Sequence, residues 1–194
     1  MATGLGNERC VRPMRTYSGR QVWPLDPQQF HLSFDDVAHH LAMLCRWNGS
    51  CRSFYSVAQH SVYVARLVPS ELQAAALLHD AAEAYLGDVV RPIKRQVWIG
   101  EAGTILRTVN EVEAVILREL FRGLGVEWPS DLQWSAIKTA DDAVMGAEAR
   151  DLFDHDPAWY LHADEVPKAA ISIRPRGPIA AEEEFREAWR MMRA

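Results

Sequence analysis

The chain has 194 residues, a length suited to one domain with a full hydrophobic core. Hydrophobic residues make up 48% and charged residues 24%, values ordinary for a globular protein. A formal net charge of −5 argues against a general nucleic-acid binder, which is normally basic, but leaves room for a small phosphorylated ligand held by local cations. Cys10, Cys45 and Cys51 form an odd set without metal-type pairing and read as reduced thiols of a cytosolic protein. The N-terminus shows no positive-then-apolar pattern, and no run approaches the ~18 apolar residues of a membrane span, so a cytoplasmic protein with no membrane partner is expected.

Residues 1–30 read as irregular, with TYSGRQVWPLDP able to form a short hairpin turning at Ser18–Gly19. Ser33 opens the first helix, with Asp36 three residues on as in a capping box. Val37, Leu41 and Leu44 give its apolar face, and Asn48–Gly49 ends it. Gln59 to Val68 reads as a second helix stopped by Pro69. Ser70 caps a third, which runs to about Leu86 with Gly87 at its C-terminal end. Residues 88–101 form a loop containing Pro92 and Gly100. Ile105, Val109, Val112, Ile116 and Leu120 are the stripe of a long helix stopped by Gly123–Leu124–Gly125. Ser130 opens another, with Trp134, Ile137, Val144, Met145 and Leu152 inward. After the irregular HDPAWYLHADEVPKAAISIRPRGP, a last helix from Ala180 to about Met192 aligns Phe185, Trp189 and Met192. With no alternating strands and no repeat, the expected class is all-α. One domain is expected over 1–194, with its core at about 30–155 and an extension and helix at 156–194.

The stretch AALLHDAAEAYLGD, residues 75–88, carries the chemistry. Leu72, Ala76, His79, Glu83 and Leu86 share one helical face, and the run is apolar nearly all round, which predicts a buried central helix. A His, an Asp and a Glu inside such a helix are costly unless partnered. A divalent cation suits an imidazole beside a carboxylate. His60 precedes this stretch and Asp141–Asp142 follow it, so three segments can converge on one ion. Periodicity puts Asp141 with Trp134, Ile137, Met145 and Glu148, and Asp142 with Ser135, Lys138, Gly146 and Ala149. The expected ligand is therefore Asp141, with Asp142 solvated or supporting. His40 shares a face with Val37, Leu41 and Leu44 and reads as structural rather than as half of a second metal pair with His39. Glu182, Glu183 and Glu184 read as favourable charge at a helix N-terminus, and Trp23, Trp98, Trp128 and Trp159 as packing or subunit contacts.

Through QHSVYVARL, LLHDAAEAYLGD and IKTADDAV the chain resembles the HD-domain superfamily of metal-dependent phosphohydrolases. That signature is a His, a later His-Asp doublet and a distant Asp on a helical bundle. Arg46–Trp47 before the first His, Glu83 after the doublet, then Gly87–Asp88 and Pro92–Ile93–Lys94, extend the resemblance to bacterial 5′-deoxynucleotidases and phage HD-domain dNTP hydrolases. The segment LCRWNGSCRSFYSVAQHSV is also similar to a bacterial and phage HD group, and the resemblance covers roughly residues 15–155.

The resemblance implies a bundle of about six to seven helices and one divalent ion (Co, Mn, Zn, Fe or Mg) on His60, His79, Asp80 and Asp141. It implies that Glu83 orients or deprotonates a water, and that Asp88 shapes the substrate site or assists the leaving group. Arg46 and Lys94 would hold phosphate oxygens, and Trp47 would pack on the sugar and exclude a 2′-hydroxyl. The implied substrate is a deoxynucleotide, either a monophosphate cleaved to deoxynucleoside and phosphate or a triphosphate that loses triphosphate. Three phosphates need a larger or more cationic rim, for which Arg91, Lys94 and Arg95 are available. A homodimer or higher homo-oligomer is implied, without a stable nucleic-acid complex, in a bacterial cytoplasm or that of a phage host. Two alternatives stand. One is an HD-type phosphodiesterase of a cyclic or signalling nucleotide, many of which add a second metal through extra histidines; none lies between His79 and His155. The other is a catalytically silent nucleotide-binding regulator, which should have lost a ligand or Glu83.

Overall fold

A computed structural model of the chain describes residues 13–26, 32–100, 106–154 and 169–193. The fold is all-α. Its helices are α1 (Phe34–Met43), α2 (Val57–Arg66), α3 (Gln73–Leu77), α4 (Glu83–Leu86), α5 (Arg91–Lys94), α6 (Val109–Leu124), α7 (Asp131–Leu152) and α8 (Pro178–Met192). Two minimal antiparallel pairs accompany them, β1 (Met14–Arg15) with β2 (Gln21–Val22), and β3 (Trp98–Ile99) with β4 (Arg107–Thr108). The first pair is the hairpin expected around Ser18–Gly19, and Gly19 takes the positive φ of 83° that its turn requires. Among the described residues no helix is long and apolar enough to cross a membrane.

The central position belongs to α2, not to the AALLHD segment. Helix α2 packs against α1, α3, α7 and α8, and Val57, Ala58, Val62, Val64 and Ala65 are buried along it. Its buried Gln59 is fully used, because Nε2 donates to the Arg174 carbonyl (2.7 Å) and Oε1 accepts from the Arg176 amide (3.0 Å). That pair ties the segment before α8 to the core. Val37, Leu41, Leu77, Leu78, Ile116, Leu120, Ile137 and Phe185 complete the apolar interior.

Local signals explain the two long helices. Complete capping boxes, Thr108 with Glu111 and Ser130 with Gln133, start α6 and α7. Gly125, at φ 64°, ends α6 in the left-handed conformation that glycine adopts at least cost.

Elsewhere the structure corrects the expected boundaries. Helix α1 stops at Met43 rather than Asn48–Gly49, because Cys45 bridges to Ser56 and Arg46 N–H donates to the Tyr55 carbonyl (2.8 Å). Ser33 caps α1 without a side-chain bond; Asp36 is wholly buried and accepts from the Ser18 amide (2.7 Å) and hydroxyl (2.8 Å), docking the hairpin. Helix α2 starts at Val57, capped by Ser56, and ends at Arg66. Ser70 begins a short 3-10 turn and does not cap α3. The acids Glu182 to Glu184 lie beyond the first turn of α8, where Glu182 meets His39 and Arg186, and Glu184 meets Arg66 and Arg176. His40 is structural as expected: its Nδ1–H donates to the Ala84 carbonyl (2.7 Å) and its Nε2 accepts from the Tyr17 amide (3.0 Å). Cys45 and Cys51 are free, and burial pushes the Cys51 thiol up to about 11. Cys10, Ile105, His155 and Trp159 lie outside the described residues.

Candidate metal centre

The His79 segment is not one continuous helix. After Leu77 the chain tightens into turns, with i to i−3 bonds from Ala81 N to Leu78 O (2.9 Å) and from Glu83 N to Asp80 O (3.0 Å), before α4 begins. The His79 side chain takes part in this break, since its Nδ1 bonds the Ala76 carbonyl at 2.8 Å. A carbonyl only accepts, so Nδ1 carries a hydrogen and the ring is turned with Nε2 away from the backbone.

His60 is oriented through the same ring nitrogen by a different partner. It is fully buried on α2, and its Nδ1 lies 2.6 Å from Oε1 of the equally buried Glu148 on α7. Burial alone would lower His60, but Glu148 and Asp141 outweigh it and hold the imidazole up at about 9. Burial raises Glu148, yet Arg46 and His60 bring it below the ordinary glutamate range, so the carboxylate accepts and His60 Nδ1 donates.

Both Nε2 atoms thus turn inward, and neither finds a hydrogen-bond partner among the described residues. His60 Nε2 lies 3.2 Å from Asp141 Oδ1. His60, His79 and Asp141 form a group that could hold a metal ion, with one ligand atom from each within 4.8 Å of the others. Asp80 stands beside it: Oδ2 lies 3.2 Å from His79 Nε2 and 3.7 Å from His60 Nε2. Two orphaned imidazole nitrogens facing carboxylates at this range fit a divalent cation. Burial raises both acids, but the neighbouring histidines outweigh it and hold Asp80 and Asp141 below the ordinary aspartate range. They therefore stay ionised.

The helical phasing of the acidic pair is as expected. Asp141 points inward with Oδ1 toward His60, while its Oδ2 accepts from Arg91 (3.0 Å) and Lys138 (2.9 Å). Asp142 is half-buried and pairs with Arg91 (3.1 Å) and Lys138. Asp141→Ala should accordingly lose bound metal in elemental analysis of the purified protein, and Asp142→Ala should keep it. The reverse pattern would show that the centre is built on the other face of α7.

The remaining expected site residues gather around this group. Glu83 opens α4 almost wholly buried; Oε1 is 3.7 Å from Lys94 Nζ and Oε2 has no hydrogen-bond partner among the described residues. Burial, then Asp80 and Asp88, push it well above the usual carboxylate range. Gly87, at φ 82°, turns the chain so that Asp88 follows half-buried; burial raises Asp88 while Arg46 opposes. Lys94 is engaged by Glu113 on α6 (2.7 Å). Arg95 is exposed.

Arg46 and Trp47 sit on the loop after α1, not on a helix end. Arg46 donates through Nε (3.3 Å) and Nη2 (3.2 Å) to Glu148 Oε2, and its Nη1 lies 3.7 Å from Asp80 Oδ2. Burial lowers its charge affinity, but Glu148 and Asp80 more than restore it. Trp47 has φ 58°, an unusual conformation for a bulky residue. Its indole N–H donates to Glu148 Oε2 (3.1 Å), and its ring meets Phe153 edge-on at 5.2 Å. Such local strain persists only where surroundings over-determine it, and it clusters at functional sites.

Glu148 is the residue that sequence reasoning passed over. It is wholly buried and joins His60, Arg46 and Trp47 through one carboxylate. Its signal was its place on the inward face with Asp141, where an acid needs a partner.

No family model matches the chain. Two similar proteins are the uncharacterized protein YfdR of Escherichia coli (strain K12) and an uncharacterized protein of Rhodobacter capsulatus. The first is 31% identical over 166 residues, covering 85% of this chain and 86% of the relative. The second is 36% identical over 177 residues, covering 84% of this chain and 87% of the relative. Identity at this level across nearly the whole of both chains reflects a shared fold, and the chain belongs to the same family as YfdR.

Proposed function

We propose that the chain is a metal-dependent phosphohydrolase of the HD type acting on deoxynucleotides. The observation that carries the reading is the convergence of two Nε2 atoms and the Asp141 carboxylate beside Glu83 Oε2, the two nitrogens and Oε2 having no hydrogen-bond partner among the described residues. In this reading His60, His79, Asp80 and Asp141 hold one divalent cation, which would polarise a phosphoryl oxygen and offset charge in the transition state. Glu83 Oε2 takes a proton from the water that attacks phosphorus. Asp88, raised by burial, gives a proton to the departing 5′ oxygen as the P–O bond breaks. Arg46 is anchored by Glu148 on one edge and presents Nη1 at the Asp80 side, where a phosphate oxygen can accept. Trp47 spends its only donor on Glu148, so it serves the sugar as an apolar wall.

The test is a metal-supplemented screen of ribo- and deoxynucleoside mono-, di- and triphosphates, with phosphate and triphosphate measured separately. Deoxynucleotides are expected to turn over faster. A hydroxyl forced unpaired against the Trp47 wall costs about 1–3 kcal/mol, so Trp47→Ala should narrow the deoxy/ribo ratio of kcat/KM by roughly ten- to a hundredfold. Equal use of both sugars by the wild type would remove the deoxynucleotide assignment. Absence of any metal-dependent phosphate release would remove the hydrolase reading itself.

A further inference from the structure

We propose that the cavity adjoining the metal centre is a nucleobase pocket in which Glu113 selects bases presenting amino hydrogens over thymine. The proposal deepens the phosphohydrolase reading and rests on it for the placement of the phosphate. The cavity measures about 300 Å³, at the small end of ligand sites and suited to one nucleoside rather than a dinucleotide. Its lining joins His79, Asp80 and Glu83 of the metal centre to Glu113, Trp128 and Trp134. A ligand lying along it therefore touches the metal ligands and the aromatic wall together.

Glu113 is held by Lys94 through Oε2 (2.7 Å), while Oε1 is buried with no hydrogen-bond partner among the described residues. A buried carboxylate oxygen without a donor is costly, and a carboxylate only accepts. A ligand completing this carboxylate must bring N–H or O–H groups. Lys94 already offsets the Glu113 charge, and the wall facing it is aromatic, which suits a flat neutral ring better than a hydrated second cation. An anion is repelled by Glu113, so in the phosphohydrolase reading a nucleotide places its phosphate against the histidines and its base against Glu113.

Base edges then rank themselves. Guanine offers an N–H and an adjacent amino group to a carboxylate; adenine and cytosine offer an amino group. Thymine sets one N–H between two carbonyl oxygens, which face Glu113 as acceptor against acceptor. The amino-bearing bases, guanine first, are the expected ligands.

The experiment compares Glu113→Gln with wild type in two readouts. The first is binding of phosphate-free deoxyguanosine and thymidine, followed by tryptophan fluorescence. The second is kcat/KM for the four deoxynucleotides and for p-nitrophenyl phosphate, which has no base. Wild type should bind deoxyguanosine more tightly, and Glu113→Gln should shrink the guanine/thymine ratio roughly tenfold through KM, the scale of one lost buried hydrogen bond, beyond any change common to all substrates that p-nitrophenyl phosphate reads. Ala114→Phe, which fills the cavity from α6, should abolish nucleoside binding in a folded protein. Equal binding of both nucleosides by the wild type overturns the base pocket whatever the chemistry. So does a Glu113→Gln protein that loses all substrates alike, since Glu113 would then act only through Lys94. Selective deoxyguanosine binding without phosphate release from any nucleotide upholds the pocket and overturns the hydrolase reading instead.

Discussion

Glu83→Ala should lower kcat by roughly 10²–10⁴-fold while leaving metal content unchanged, the range expected when a positioned proton acceptor is removed. Glu83 is 5% exposed, and one of its carboxyl oxygens has no partner among the described residues, an arrangement that burial makes unfavourable for stability alone. Removing it should therefore leave the melting temperature level or raise it, as happens when a strained functional group is deleted. The pH profile gives a second measurement. Burial and the carboxylates Asp80 and Asp88 raise Glu83, and Lys94 opposes them. Without the Lys94 charge the acid becomes weaker still. Because Glu83 must be ionised to accept a proton, Lys94→Met should move the acid limb of kcat to higher pH. An unchanged kcat in Glu83→Ala would take this residue out of the mechanism, and an acid limb that moves down would reverse the electrostatic account.

The parts of the molecule that could be read from the chain are those set by local chemistry. Ser130 starts α7 through its capping box, and Gly125 ends α6 because its conformation favours glycine. The face shared by Trp134, Ile137 and Asp141 is buried enough to separate Asp141 from Asp142. What could not be read depends on distant partners. An alanine-rich run with high helix propensity gives no sign that the chain breaks between Leu77 and Glu83, where His79 bonds the Ala76 carbonyl and i to i−3 bonds take over. Arg46–Trp47 looked like a helix end because the bridge from Cys45 to Ser56 joins segments that no periodicity connects. Glu113 lies on an otherwise regular amphipathic helix, and its pairing with Lys94, distant in sequence, sets it apart from a solvated acid.

Glu148→Gln should weaken metal binding roughly 10–100-fold in competition against a chelator, the usual effect of altering the hydrogen-bond partner of a metal-ligating histidine. The glutamine keeps the shape and can still accept from His60 Nδ1, but it gives up the charge that faces both His60 and Arg46. Arg46 loses its close ionic partner in a buried setting and should shift toward Asp80, 3.7 Å from its Nη1. Substrate KM should rise with the metal affinity held saturating, because the guanidinium is no longer anchored edge-on by the carboxylate. Glu148→Ala goes further. It leaves a buried guanidinium, an imidazole N–H and an indole N–H without their shared acceptor, and removing one member of a buried ion pair typically costs roughly 3–5 kcal/mol. At the size of this chain that amounts to a fall in Tm of roughly 10 °C. The two variants separate structure from positioning by comparison: the glutamine form keeps the side-chain volume and one acceptor, so it should melt above the alanine form and still bind metal poorly. If it binds metal as tightly as the wild type and turns substrate over with an unchanged KM, Glu148 is a packing residue, and the link it makes between His60 and the Arg46–Trp47 loop carries no functional weight.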